Sequence, residues 1–347
     1  MTQEEILELL RSVHHPGQGD RDIVDLGMVH SIEGSTVTLG FSKRRDPLAE
    51  YLIGATRAAL IRGGVKDPEV KTIVLEDAAP KKKAPEFSLE TLANVRHIVG
   101  IASGKGGVGK STVAVNLACA LARLGYKVGL ADADVYGPSV PLMTGTEGAS
   151  PMAEEVDGRE LILPMEKWGV KWMSIGYFAS RGQALIWRGP MASNALKQMV
   201  LQVKWDELDF LLVDMPPGTG DIHISLLQEV PMEGAVLVTT PQDVALADVE
   251  KGANMFRNKQ IDRPIFGLVE NMAWFTPEEH PEEKYYIFGR DGGARMASEL
   301  GIELLGRIPL VQSIRESGDA GEPVALGSRP DAQAFLALAG RLAEKLG

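Results

Sequence analysis

The sequence is poor in cysteine: its 347 residues contain one, Cys119. A single cysteine cannot form a disulfide within the chain, and it cannot supply the several thiolates of an all-cysteine metal cluster from one subunit. Cys119 lies in an apolar run at residues 117–121 of a predicted helix. This setting favours a small, buried core residue over a reactive thiol.

Long hydrophobic runs and basic charge are also scarce. No apolar stretch approaches the roughly 18 residues of a membrane helix. The first five residues include two glutamates and no basic residue, unlike the start of a secretion signal. We therefore expect a cytoplasmic protein that does not insert into membranes. Lys and Arg total 36 against 47 Asp and Glu, a net charge of −11. Such a balance disfavours binding to the phosphate backbone of nucleic acid.

The chain is predicted to contain a small α+β domain at residues 1–78. Apolar spacing predicts helices at 4–13 and 48–62 and strands at 23–29, 35–41 and 70–75, with a turn at 33–34 between the first two strands. Residues 79–96 are predicted to be a linker, because their first part holds two prolines and three adjacent lysines without an apolar period.

Residues 97–347 are predicted to form one larger α/β domain. Short apolar strands at 97–102, 127–131, 209–213, 235–239 and 265–269 alternate with helices, which indicates a mostly parallel, doubly wound sheet. Ligands of such sheets bind at the carboxyl ends of the strands. The last segment, residues 332–347, contains only two basic residues. We therefore expect a helix packed on the core, not one that binds a membrane.

A phosphate-binding loop follows the first of these strands. Its residues are Gly104, Lys105, Gly106, Gly107, Val108, Gly109, Lys110, Ser111 and Thr112, which fit the pattern G-x-x-x-x-G-K-[ST] between a strand and a helix. The glycines let backbone N–H groups point at phosphate oxygens, and the helix adds its positive end. Lys110 is expected to reach the β- and γ-phosphates, Ser111 to bind Mg²⁺, and Thr112 to donate to the α-phosphate.

Carboxylates end two further strands. Asp132 and Asp134 follow one strand; by resemblance to the MinD/ParA class, Asp134 is the candidate to hold the attacking water, whereas Asp132 could instead cap a turn. Asp214 occupies the Walker-B position, where Mg²⁺ is held through a water. The loop 214–221 carries two prolines and two glycines and could register the terminal phosphate, although a rigid surface turn is the alternative.

Asn271 follows the strand at 265–269. Its amide carries a donor and an acceptor and can match the edge of adenine. A cap at the end of the strand is the alternative role.

These motifs together resemble the Mrp (ApbC) family of P-loop ATPases, which are iron–sulfur cluster carriers. The resemblance is carried by residues 104–112, 132–139, 187–191, 214–221, 239–242, 269–272 and 308–310. It implies a P-loop NTPase fold, ATP and Mg²⁺ as ligands, a homodimer, and transfer of clusters to apo-protein clients. Residues 23–29 resemble the small iron–sulfur assembly (MIP18-like) domain that often precedes these ATPases.

Lys105 adds a further resemblance, to the variant loop of MinD, ParA and the nitrogenase iron protein. In that class the lysine reaches the nucleotide of the other subunit and acts like an arginine finger. The resemblance therefore implies that Lys110, Asp134 and Lys105 form the catalytic set. An exposed loop lysine is the alternative.

The sequence departs from the carrier family at its cluster ligands. Members that bind a [4Fe–4S] cluster usually have Cys-x-x-Cys shortly after the Glu-Asn-Met segment, but residues 273–284 contain no cysteine. Residues 42–47 also lack the cysteine usual in the small domain. No cluster ligands are identifiable, and His280 with its neighbouring glutamates is expected to form a solvated loop.

Two other functions remain open from the residues alone. One is a positioning ATPase of the ParA/MinD kind, which would bind DNA or membrane. The other is a nucleotide-gated adaptor that binds ATP with little hydrolysis.

Overall fold

The structure is a computed structural model that describes residues 2–16, 21–41, 46, 48–74, 89–135, 137–156, 158–178 and 189–347. The chain divides into two compact units, Met1–Glu86 and Phe87–Gly347. Outside the described residues lie residue 75, which ends the strand predicted at 70–75, and the first part of the predicted linker. The motif residues 136, 187 and 188 also lie outside them.

The first unit folds around a three-stranded sheet. Its elements are α1 (Gln3–Leu10), β1 (Val29–Glu33), β2 (Thr36–Phe41), α2 (Ala49–Arg62) and β3 (Glu69–Val74). β1 and β2 pair antiparallel, and β2 and β3 pair parallel, which the crossover helix α2 permits. Buried apolar side chains of all these elements except β3 form the core.

The strand predicted at residues 23–29 is wrong in its position, because β1 begins only at Val29. The Asp22 carboxylate accepts hydrogen bonds from the backbone N–H groups of Val24, at 2.9 Å, and Asp25, at 2.8 Å. Such a side-chain bond folds the following residues into a turn. Ile23 is nevertheless buried in the core, which explains why its apolar neighbourhood looked like a strand.

The second unit contains an eight-stranded sheet in the order β13-β12-β11-β4-β10-β5-β9-β8. All neighbouring strands are parallel except β8 and β9. The strands are β4 (Val95–Ala102), β5 (Val128–Asp132), β8 (Met165–Lys167), β9 (Val170–Ser174), β10 (Leu208–Asp214), β11 (Gly234–Thr239), β12 (Ile265–Glu270) and β13 (Leu304–Arg307), and a separate hairpin is formed by β6 (Ala153–Val156) and β7 (Arg159–Ile162).

Helices cover both faces of this sheet. They are α3 (Lys110–Arg123), α4 (Val140–Met143), α5 (Gly189–Leu201), α6 (Asp221–Glu229), α7 (Asp243–Phe256), α8 (Gly292–Leu300), α9 (Gln312–Ala320) and α10 (Pro330–Leu346). One core cluster lies between the sheet and helices α5 to α8, and the other between the sheet and α3 with α10. The predicted P-loop fold with a mostly parallel, doubly wound sheet is therefore confirmed.

The final helix packs on the core, as its sequence predicts. Phe335, Leu338 and Leu342 of α10 are at most 1% exposed and belong to the same cluster as α3. Among the described residues, no helix combines the length and the apolar character needed to cross a bilayer.

Candidate nucleotide-binding site

The glycine-rich loop joins β4 to α3 at the carboxyl edge of the sheet. Gly109 precedes α3 with a φ of +80°, a left-handed conformation in which a side chain would be strained. A Cβ on Gly104 would lie 2.1 Å from the carbonyl oxygen of Asp248 in α7, so the backbone there approaches α7 too closely for any larger residue. Local strain and close packing thus account for glycine at both ends of the loop.

Lys110 lies between two carboxylates. Its Nζ is 2.6 Å from Oδ1 of Asp214 and 4.0 Å from Oδ2 of Asp134. Lys110 is 6% exposed and Asp214 is fully buried. Burial raises the pKa of Asp214, and the charge and hydrogen bond of Lys110 oppose that rise. The lysine therefore compensates charge that the fold has removed from water.

The second oxygen of Asp214, Oδ2, is buried and has no hydrogen-bond partner among the described residues. The Ser111 hydroxyl lies close by and accepts a hydrogen bond from Lys110 Nζ at 3.3 Å. Carboxylate and hydroxyl oxygens are the hard donors that Mg²⁺ takes, usually with phosphate oxygens and waters completing its shell. The donor set around Ser111 and Asp214 therefore fits Mg²⁺ held partly by a nucleotide.

Asp132 is a fully buried carboxylate that organises the loop after β5. Ser174 donates to its Oδ2 at 2.8 Å, and the backbone N–H groups of Asp134 and Val140 also point at it, at 3.1 and 3.4 Å. Burial and the neighbouring charge of Asp214 raise the pKa of Asp132 to about 7. These contacts match the capping role that the sequence left open for Asp132. Ser174, which belongs to a different strand, carries no signal in the sequence that would have predicted its contact.

Asp134 sits at the edge of a cavity above the loop. This cavity is lined by the loop residues Lys105, Lys110, Ser111 and Thr112 among others, and by Asp134, Ser139, Met143 and Pro217 from neighbouring segments. Asp134 also accepts a hydrogen bond from the Gly137 N–H at 3.2 Å. The cavity thus brings together the predicted residues Lys110, Ser111 and Asp134. The buried carboxylate of Asp214 does not line it and contacts Lys110 instead.

Asn271 lies behind the loop and does not line this cavity. It is 5% exposed, and its Nδ2 donates to the carbonyl oxygen of Val108 at 2.8 Å. In this arrangement its amide supports the phosphate loop. A second cavity opens three residues further along the chain, between Trp274, Pro309, Val311 and Arg329.

The loop after β10 is bonded through its backbone to β4 and to Ser103, the residue that precedes the phosphate loop. Met215 N–H donates to Ile101 and Gly218 N–H to Ser103, both at 3.0 Å. His223, in the first turn of α6, lies 2.7 Å through its Nε2 from the carbonyl oxygen of Pro216. The contact of His223 is not predictable from the sequence, because a histidine inside a helix gives no signal of what it contacts.

Cys119 is fully buried within α3, as predicted, and burial raises the pKa of its thiol to about 12. The segment at 273–284 holds an aromatic and charged cluster instead of thiols, with Lys284 Nζ over the ring of Trp274 at 4.2 Å. Within the described parts of the chain, no three His, Cys, Asp or Glu side chains are grouped to hold a metal ion.

The sequence matches the ParA family model, described as NUBPL iron-transfer P-loop NTPase, over residues 94–343. The chain belongs to this family. An iron–sulfur cluster carrier protein from Aquifex aeolicus is 49% identical, covering 98% of this chain and 97% of its own length. A carrier protein from Synechocystis is 41% identical and covers 100% and 98%.

Two solved structures have a similar fold. A nucleotide-binding protein from Archaeoglobus fulgidus in complex with ADP is 34% identical, with a TM-score of 0.60 over 71% of this chain and 94% of that one. MinD from Pyrococcus horikoshii in complex with Mg-ADP, 24% identical with a TM-score of 0.52, supports the fold alone. The Mrp-type resemblance of the second unit is confirmed, and that of the first unit to an assembly domain stays a prediction.

Proposed function

We propose that this protein is a Mg²⁺-dependent ATPase that acts in the transfer of iron–sulfur clusters to apo-proteins. The observation that carries the ATPase proposal is the placement of Lys110 between the carboxylates of Asp214 and Asp134 at the mouth of a glycine-rich loop. Membership of the family and the names of its carrier relatives support the second half of the proposal.

The triphosphate would bind along the backbone of the phosphate loop. Its negative charge competes with Asp214 for Lys110, so Lys110 turns from the buried carboxylate to the β- and γ-phosphates. Ser111 and Asp214, the latter through a water, would hold the Mg²⁺ that neutralises charge on the phosphates. The backbone N–H groups of Gly104 to Thr112 and the positive end of the α3 dipole would provide further stabilisation of the phosphate charge.

Hydrolysis needs a water in line with the γ-phosphate. Asp134 lines the cavity and is proposed to accept a proton from that water. The Gly137 N–H donates to one of its carboxylate oxygens and so restrains it. Lys105 is exposed at the rim of the same cavity. An exposed rim position is what a lysine needs to reach the nucleotide of a second copy in a homodimer.

The base is proposed to lie beyond Asn271, toward the cavity at Trp274 and Pro309. Asn271 keeps its Nδ2 on Val108, and its carbonyl oxygen can accept from the exocyclic amine of adenine. Asn271 would thereby link the bound base to the phosphate loop through its hydrogen bond to Val108.

The cluster itself is proposed as cargo whose thiolates come mostly from outside this chain. Iron–sulfur clusters are held by cysteine thiolates, and the single thiol here is buried and protonated. Anaerobic reconstitution with iron and sulfide should therefore leave the isolated protein with far less than one cluster per dimer. A stoichiometric cluster on the isolated protein would contradict this part of the proposal.

The ATP site is tested by calorimetric titration of ATP with Mg²⁺ into the wild type and Lys110→Ala. We expect the substitution to weaken ATP binding by roughly 10- to 100-fold or more, since a buried charged hydrogen bond to phosphate is lost. Lys127→Ala is the matched control, because Lys127 forms an exposed pair with Glu207. Equal affinity of the wild type and Lys110→Ala would overturn the proposed site.

A further inference from the structure

His223 is a buried polar side chain next to the ATPase site. It is 3% exposed and lies in the first turn of α6, directly after the loop 214–220. A ring this deeply buried loses its contacts with water, which is unfavourable unless the protein offers a hydrogen bond in return. The bond that His223 makes runs seven residues back along the chain to the Pro216 carbonyl oxygen, at 2.7 Å.

The partner determines which ring nitrogen carries the proton. A carbonyl oxygen only accepts, so Nε2 is the donor. Burial lowers the pKa of His223, which keeps the ring neutral, and Nδ1 is then an acceptor. Nδ1 is buried without a partner among the described residues. The ring donates to the Pro216 carbonyl oxygen at 2.7 Å, and the backbone of Gly220 also lies near it.

The Pro216 carbonyl depends on a side chain for a partner because the loop has few N–H groups to offer. Pro216 and Pro217 have none, and the N–H of Gly218 already donates to Ser103. Pro216 is two residues from the buried carboxylate Asp214 and directly precedes Pro217, which lines the phosphate cavity. The bond from His223 thus fixes the segment between the Mg²⁺-binding carboxylate and the cavity wall.

We propose that His223 is a positioning residue for ATP hydrolysis. Its Nε2–H holds the Pro216 carbonyl and, through it, the positions of Asp214 and Pro217 relative to the γ-phosphate. This inference rests on the proposed ATPase function. The phosphate loop itself does not contact His223 through any described hydrogen bond, so loss of the donor should affect the chemical step more than nucleotide binding.

The test compares two substitutions of His223. His223→Leu keeps an apolar group of similar size but has no donor, whereas the amide of His223→Gln can donate to Pro216. We expect His223→Leu to lower kcat by roughly 10- to 100-fold, which is typical when a residue that supports a metal ligand is removed. The KM for ATP and the affinity for ADP should change little. His223→Gln should restore most of the loss.

A merely structural role gives a different result. In that case both variants would change the melting temperature, and kcat per folded molecule would stay at the wild-type value; this outcome would overturn the inference. Thermal unfolding of both variants, followed by circular dichroism, gives the folded fraction for this comparison.

Amide hydrogen exchange of residues 212–226 separates this inference from the proposed function. If the wild type hydrolyses no ATP, the ATPase proposal fails, but faster exchange of this segment in His223→Leu and wild-type exchange in His223→Gln would still support the positioning role. Identical exchange in all three proteins would contradict it.

Discussion

At the scale of one residue, Lys110 shows how a ligand site can place buried charges in a fold that would be destabilising without a partner. Its amino group compensates Asp214, which is fully buried, and lies 4.0 Å from Asp134. Removing one partner of a buried ion pair leaves the other charge without compensation, typically at about 3–5 kcal/mol. The lysine is therefore needed to keep the buried carboxylate from destabilising the fold.

We predict that Lys110→Ala destabilises the protein more at high pH than at low pH. Without the lysine, burial raises the pKa of Asp214 further above its value in the unfolded chain, about 3.9. Folding then favours the protonated acid, and stability falls as pH rises above the unfolded pKa. Urea unfolding should show a deficit of about 3 kcal/mol near pH 8 and a smaller one near pH 5.

Lys127→Ala serves as the control for this experiment, because its exposed pair with Glu207 contributes little at either pH. If the deficit of Lys110→Ala were the same at both pH values, protonation of Asp214 would not be its cause.

At the scale of the element, the sequence predicted five of the eight strands in the main sheet of the second unit and the motifs that follow them. Continuous apolar runs identified β4, β5, β10, β11 and β12 within about two residues, and Asp132 and Asp214 prove to be in-register partners on neighbouring strands. The phosphate loop was predictable because its chemistry is local: glycine backbone, a lysine and a helix start lie within nine residues.

Contacts between distant segments were not predictable. Ser174 reaches Asp132 across 42 residues, and Asn271 reaches Val108 across 163. Their geometry depends on strand order, which periodicity does not reveal. The strands β8, β9 and β13 and the hairpin β6–β7 were not predicted. β8 and the hairpin are short and partly exposed, so their apolar pattern is weak.

The final helix offers a prediction at this scale. Leu338 of α10 is 1% exposed in the core shared with α3, the helix that begins at the phosphate loop. Leu338→Ala should lower the free energy of unfolding by about 2–5 kcal/mol. Gln333→Ala, at an exposed position of the same helix, should change it by less than about 0.5 kcal/mol. Equal effects in urea unfolding would contradict the packing of α10 on the core.

At the scale of the whole molecule, the chain contains the residues proposed for nucleotide chemistry but lacks thiolates available to hold a cluster. The phosphate loop, the carboxylates and their supporting contacts lie within the unit Phe87–Gly347. The thiolates are not, since Cys119 is buried and is the single cysteine of the chain. We therefore expect the ATPase cycle to act on a cluster held by another protein.

The exposed position of Lys105 leads to a testable prediction for the proposed homodimer. If Lys105 serves the nucleotide of the partner, Lys105→Ala should bind ATP but release phosphate about 10³-fold more slowly or worse, as when an arginine finger is removed. Lys110→Ala should also be nearly inactive, but for the separate reason that it binds ATP much more weakly.

The most direct measurement is therefore phosphate release from Mg²⁺-ATP after the two inactive variants are mixed. In a mixed dimer, the Lys110→Ala subunit still offers Lys105 to the intact phosphate loop of the Lys105→Ala subunit. We predict that the mixture regains hydrolysis that neither variant shows alone, and that it loses this activity when Mg²⁺ is chelated. A mixture as inactive as its components, or a Lys105→Ala variant as active as the wild type, would contradict an ATPase site completed across the dimer.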